Sequence, residues 1–216
     1  MNGVVFDLDG TLIDSAPDIC AAVNKMLAGE GIASLELATV TSFIGNGMPK
    51  LVERVIRHVD LPLTRQQDLT AATLAIYNQN PSDLTLPYNG VMACLDLLTS
   101  EGYHLGICTN KPFAITQNVL RELKMSPYFH TVVGADTLPV KKPDPAPLHH
   151  CTKVMGANKT LYVGDSETDY QTATNARMPF ALFTGGYRKE GLPYFKGAAV
   201  FDTFQELPKI IRTHLM

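Results

Sequence analysis

The chain reads as an α/β protein, helices packed on a mostly parallel sheet, with an all-helical insertion near its start. Three observations carry this. Val4-Val5-Phe6 is a short apolar run that ends in Asp7-Leu8-Asp9-Gly10-Thr11. After Gly90, helix-like and strand-like segments alternate. Between residues 15 and 85 the apolar spacing is helical, with no convincing strand run.

Taken in order, residues 4–6 predict a buried strand that delivers Asp7 at its C-terminal end, with Asp9 turning back beside it. Amphipathic helices are expected near 16–28, 48–59 and 64–77, flanked by Asp14-Ser15-Ala16-Pro17 and by turn formers from Pro81 to Gly90, which read as hinges. Residues 91–100 are helical in pattern, and His104-Leu105-Gly106-Ile107-Cys108 is a strand ending at Thr109. Pro112 suits the first turn of a helix running to about Leu123. Further strands are expected at 131–133, at 161–163 before Gly164-Asp165, and at Phe180-Ala181-Leu182-Phe183. Asp7, Thr109 and Asp165 thus all fall at C-terminal strand ends, where open α/β sheets bind ligands.

Composition excludes several classes. The 216 residues, 45% hydrophobic and 18% charged, suit one sizeable core with a smaller appended unit. Eighteen basic against 21 acidic residues leave a formal charge of −3 and no basic stripe, so nucleic acid is not an expected partner. Cys20, Cys94, Cys108 and Cys151 are far apart and form no Cys-x-x-Cys pair, which points to buried thiols in a reducing compartment. No apolar stretch reaches the about 18 residues of a membrane span and no signal peptide is visible, so a cytoplasmic protein is expected, as a monomer or homodimer.

The strand-end residues suit phosphoryl chemistry. Asp7, a carboxylate on a rigid strand end, can attack phosphorus, and Asp9 can serve as acid and then as base. A phosphate approaching two carboxylates needs positive charge, and Mg²⁺ suits carboxylates, waters and phosphate oxygens, with Asp165 as a further ligand. Thr109 offers a hydroxyl and neighbouring N–H groups, and Lys142 a cation, to phosphoryl oxygens. Singly these residues also read as a turn aspartate pair, a helix cap, a solvated lysine and an acidic helix N-terminus. Their joint order favours the chemical reading.

These motifs, Asp7-Leu8-Asp9-Gly10-Thr11, Thr109-Asn110, Lys142-Pro143 and Gly164-Asp165-Ser166-Glu167-Thr168-Asp169, resemble those of the haloacid dehalogenase superfamily and span nearly the whole chain. The resemblance implies a modified Rossmann-like three-layer core of residues 1–14 and 86–216, with a helical cap of residues 15–85. It implies Mg²⁺ held by Asp7, the Asp9 carbonyl and Asp165, with Asp169 supporting the metal site. Thr109, Asn110 and Lys142 would bind the phosphorylated substrate, and Gly10 and Thr11 would shape the flap leading to the cap. Asp9 separates the chain from dehalogenases and phosphonate-cleaving relatives, which lack it. Thr11 favours hydrolysis over sugar phosphomutases resembling this chain, which commonly carry a nonpolar residue there.

Phe43-Ile44-Gly45-Asn46-Gly47, Leu51-Val52-Glu53-Arg54 and Leu86-Pro87-Tyr88-Asn89-Gly90-Val91 look like bacterial phosphoglycolate phosphatases, whereas Asn89 and the loop Gly185-Gly186-Tyr187-Arg188-Lys189-Glu190 depart from their usual pattern. The expected activity is Mg²⁺-dependent hydrolysis of a small phosphomonoester through an aspartyl-phosphate, with 2-phosphoglycolate as substrate. A phosphomutase, a phosphatase for another sugar phosphate or nucleotide, and a non-catalytic phosphate sensor are the alternatives. For the second anionic end of 2-phosphoglycolate the candidates are Lys50, Arg54, Asn46 with the adjoining Gly45 and Gly47 backbone, and Arg188.

Overall fold

Short β-branched and apolar runs form the strands of a parallel sheet whose two faces are both covered, as the hydrophobic content of the runs requires. The protein is described by a computed structural model over residues 1–215. The six strands are β1 (Asn2–Phe6), β4 (His104–Cys108), β5 (Phe129–Val133), β6 (Lys159–Gly164), β7 (Phe180–Phe183) and β8 (Ala199–Phe201). They lie in the order β5-β4-β1-β6-β7-β8, all parallel. Val5, Cys108, Tyr162 and Leu182 face Leu148, Cys151 and Met155 of α7 (Ala146–Met155) and Ala173 and Ala176 of α8 (Glu167–Ala176). Val4, Phe6, Ile107, Val163 and Phe183 face the other way, into a cluster with Leu95 and Leu98 of α5 (Val91–Ser100), Val119 and Leu120 of α6 (Phe113–Glu122), and Leu207 and Ile211 of α9 (Leu207–Leu215). The result is the three-layer Rossmann-like arrangement that the resemblance implies.

Between the short strands β2 (Ile13–Asp14) and β3 (Leu86–Pro87) the chain is helical: α1 (Ala16–Gly29), α2 (Leu37–Thr41), α3 (Met48–His58) and α4 (Gln66–Tyr77), the last preceded by a 3₁₀ turn. α1 packs on α2 and α4, and α3 on α4. β2 and β3 pair antiparallel, Ile13 with Pro87 and Asp14 with Leu86, so the chain leaves and re-enters the sheet side by side. Asp18 in the first turn of α1 accepts the Leu84 N–H at 3.0 Å and the Thr85 hydroxyl at 2.6 Å, tying the two crossings together.

The expected strands and helices appear with small boundary shifts. Helices α2, α7 and α9 and the strand β8 are not among the expected elements. All four cysteines are free and buried. Among the described residues, no helix is long and apolar enough to cross a membrane.

Candidate active site

Each key residue continues a strand by one position. Asp7 follows β1 and its N–H bonds the Val163 carbonyl at 2.9 Å, Thr109 follows β4 and bonds the Val133 carbonyl at 2.9 Å, and Asp165 follows β6. Ladder hydrogen bonds therefore fix the backbone of the first two, and α8 begins immediately after the third. Ser166 caps α8 in a reciprocal capping box with Asp169. Gly164 is required beneath it, since a Cβ there would strike the Asp169 side chain.

Asp7, Asp165 and Asp169 are buried and offer carboxylate oxygens within 4.8 Å of one another. Their remaining partners differ. Asp165 Oδ1 accepts the Thr11 hydroxyl at 2.7 Å and Oδ2 accepts the Tyr187 N–H at 2.6 Å. Asp169 is engaged by Lys142 Nζ at 2.6 Å, the Tyr162 hydroxyl at 2.8 Å and the Ser166 hydroxyl at 2.6 Å. Asp7 Oδ1 lies 2.9 Å from Lys142 Nζ, an ion pair without hydrogen-bond angles. Gly10, at φ +85°, lets the turn after β1 run against Asp165, where a Cβ would come within 2.5 Å of Oδ2.

The electrostatics follow from burial. Desolvation, then the Asp169 charge, push Asp7 up to about 7 against the pull of Lys142. Desolvation and the neighbouring carboxylates also raise Asp165 well above the usual range. Desolvation would raise Asp169 too, but Lys142, Ser166 and Tyr162 outweigh it and hold this carboxyl below its ordinary value. Burial would lower Lys142, yet Asp169 and Asp7 hold its ammonium charged. A buried, all-oxygen carboxylate cluster in which Asp7 and Asp165 resist ionisation fits a small divalent cation, which would relieve the repulsion. Asp169, already bonded to Lys142 and two hydroxyls, suits a supporting place beside such an ion.

Asp9 lies beside this cluster. Its Oδ1 accepts the Ser15 hydroxyl at 2.6 Å and Lys111 Nζ at 2.7 Å. Lys111 also donates to the Tyr77 hydroxyl of α4 at 2.7 Å, and its side chain is 3% exposed. Burial would lower Lys111, but Asp9 and Tyr77 keep it protonated, and burial pushes the Tyr77 phenol up to about 12. The sequence analysis gives Lys111 no role. Its position directly after Thr109-Asn110 was the available signal.

A cavity of about 60 Å³ opens between the strand ends and the helical segment. Asp7, Asp9, Thr109, Asn110 and Lys111 form its polar end, and Ile19, Ile44, Met48, Leu51, Leu74 and Tyr77 close over it. Asn110 Nδ2 donates to the Lys142 carbonyl at 3.1 Å, while its buried Oδ1 has no partner.

The expected anion donors of the helical segment lie elsewhere. Lys50 is largely exposed and pairs with Glu53 at 2.7 Å. Arg54 donates to the Phe43 carbonyl at 2.6 Å and to Asn46 Oδ1 at 2.7 Å, and Asn46 Nδ2 donates to the Thr168 hydroxyl at 2.9 Å. Arg188 donates to the Glu190 carbonyl within its own loop at 3.1 Å. None of these four lines the cavity; the flanking Gly45 and Gly47 do. Helix α3 turns its polar side away because Leu51, Val52, Val55 and Ile56 must be buried.

Comparison with known proteins agrees with this geometry. Residues 4–183 match the haloacid dehalogenase-like hydrolase family model. A phosphoglycolate phosphatase of Cereibacter sphaeroides (strain ATCC 17029) is 45% identical over 214 residues, 98% of either chain. One of Rhodobacter capsulatus is 38% identical, over 96% of this chain and 95% of that protein. A Haemophilus somnus 129PT structure described as a predicted phosphoglycolate phosphatase superposes with a TM-score of 0.90 at 28% identity, covering 96% of each chain. The chain belongs to the haloacid dehalogenase-like hydrolases.

Proposed function

We propose that this protein is a Mg²⁺-dependent phosphatase that hydrolyses 2-phosphoglycolate to glycolate and phosphate. The observation that carries the reading is the cavity itself, with Asp7, Asp9 and Thr109 at one end and an apolar roof over a small volume. By the measure in which one water needs about 10–15 Å³, this space suits a compact substrate. Ile19, Ile44, Met48, Leu51 and Leu74 offer no side-chain partner to the hydroxyls of a hexose, which disfavours a sugar phosphomutase. The relatives named phosphoglycolate phosphatase support the same substrate.

In this reading residues 15–85 act as a cap that moves about the paired β2 and β3, over a core of residues 1–14 and 86–216. An Asp7 carboxylate oxygen attacks phosphorus, the phosphorus–ester oxygen bond breaks, and Asp9 gives its proton to the departing glycolate oxygen. Water then attacks the aspartyl-phosphate while Asp9 takes its proton, releasing phosphate and restoring Asp7. Lys142 and Thr109 hold phosphoryl oxygens, and Lys142 keeps Asp7 in place between turnovers. Asp7, Asp165 and the Asp9 carbonyl would hold Mg²⁺, with Asp169 fixing Lys142 and the start of α8 beside them. Bound there, the ion offsets charge between the carboxylates and the incoming phosphate.

Phosphate release with Mg²⁺ from 2-phosphoglycolate, sugar phosphates and nucleoside monophosphates tests the assignment. A tenfold or greater preference for 2-phosphoglycolate, about 1.4 kcal/mol at the transition state, is expected. A sugar phosphate or nucleotide hydrolysed better would overturn the substrate and leave the chemistry standing.

A further inference from the structure

We propose that Lys111 is the specificity-determining residue, its ammonium receiving the carboxylate of the substrate while Tyr77 closes over it. The inference rests on the reading that the substrate is a small phosphorylated acid. It moves acid recognition from the cap surface, where Lys50 and Arg54 were expected to supply it, to the floor of the cavity.

Among the described residues, Lys111 is the one lysine or arginine lining the cavity. Two of its three N–H groups are used, by Asp9 and Tyr77, which leaves one for a ligand. The other buried ammonium, Lys142, is surrounded by Asp7, Asp169 and Tyr162. Lys50 and Arg54 are engaged by Glu53, the Phe43 carbonyl and Asn46. A second anion entering this chamber finds no other lysine or arginine among its lining residues, and a buried carboxylate left unpaired is costly.

The reach is right as well. Asp9 must touch the ester oxygen to protonate it, at about 2.8 Å, and Lys111 Nζ stands 2.7 Å from Asp9 Oδ1. In 2-phosphoglycolate a single methylene separates the ester oxygen from the carboxylate. A group next to the ester oxygen therefore falls next to Lys111, whereas one at the far end of a longer chain would pass it. Tyr77 Oη holds the ammonium from the cap side and the ring lies 4.8 Å from Nζ, so α4 over the core adds a second hold to the one that Asp9 provides.

The test is binding by calorimetry with Mg²⁺ in the non-turning Asp7→Asn background, comparing 2-phosphoglycolate with 2-hydroxyethyl phosphate, which replaces the carboxylate with a neutral hydroxymethyl group. Asp7→Asn should favour 2-phosphoglycolate at least tenfold, and adding Lys111→Met should bring the ratio close to one. No preference in Asp7→Asn itself would overturn the acid substrate, and this inference with it. A preference that survives Lys111→Met would overturn the role of Lys111 alone. If circular dichroism shows that Lys111→Met does not fold, Tyr77→Phe, which keeps the ammonium but frees its position, should cut the ratio severalfold, and an unchanged ratio there would overturn the proposal.

Discussion

Tyr187 joins the carboxylate cluster to the point where the chain leaves the sheet: its N–H donates to Asp165 Oδ2 at 2.6 Å while its hydroxyl accepts the N–H groups of Ser15 and Ala16 and donates to Asp14. One residue thus braces both the acidic site and the start of α1. Tyr187→Phe keeps the first contact, strands the buried Ser15 N–H and leaves the Ala16 N–H only its longer bond to Asp14 Oδ1, at 3.3 Å. A loss of about 1–3 kcal/mol in denaturant unfolding is expected, with Mg²⁺ affinity little changed. A large fall in Mg²⁺ affinity would show that the hydroxyl, not the backbone, positions Asp165.

Lys142 sits between Asp7 and Asp169 with its side chain 1% exposed. Lys142→Met leaves two buried carboxylates without their cation, and a destabilisation of about 3–5 kcal/mol at pH 7 is expected, together with loss of turnover. The cost should shrink at pH 5, where protonation relieves the repulsion. Equal destabilisation at both pH values would argue against the charge explanation.

Metal and protons compete for the same oxygens. Burial and the Asp169 charge push the Asp7 carboxyl from an ordinary 3.8 up to about 7 in the folded protein. The folded state therefore binds more protons than the unfolded chain between these values, and the metal-free protein should lose stability as pH rises through that window. Mg²⁺ favours the ionised cluster, so its stabilising effect should be larger at pH 8 than at pH 5.5, read as the rise in Tm at fixed Mg²⁺. A larger rise at the lower pH would reverse the assignment.

Arg54 links Phe43 and Asn46 within the helical segment, and Asn46 reaches Thr168 of α8. Arg54→Ala should therefore loosen the contact of the helical segment with α8 for every substrate, lowering kcat/KM severalfold for 2-phosphoglycolate and for a neutral aryl phosphate alike. A loss confined to the acid would restore Arg54 as an anion receptor.

What was legible in the sequence was what local chemistry enforces. Val4-Val5-Phe6 reads as a buried strand with Asp7 at its end, and the same logic places Thr109 and Asp165 at strand ends. The role of Asp169 came from the resemblance of the motif alone. β8 escaped because a three-residue edge strand carries almost no pattern, and α2 because five residues show barely more than one turn. Lys111 escaped for another reason: its partners Asp9 and Tyr77 lie 102 and 34 positions away, so the contact exists only after folding. Lys50 and Arg54 were singled out by charge, but charge on a helix does not say which way the side chain turns.

Acid-quenched peptide mapping of Asp9→Asn after exposure to 2-phosphoglycolate and Mg²⁺ probes the covalent chemistry itself. A phosphoryl group on the peptide carrying Asp7, absent when Asp7→Asn is added, is the expected result. Steady phosphate release by the Asp7→Asn single variant, with no phosphoryl group on Asp7 in Asp9→Asn, would overturn the assignment of Asp7 as the nucleophile.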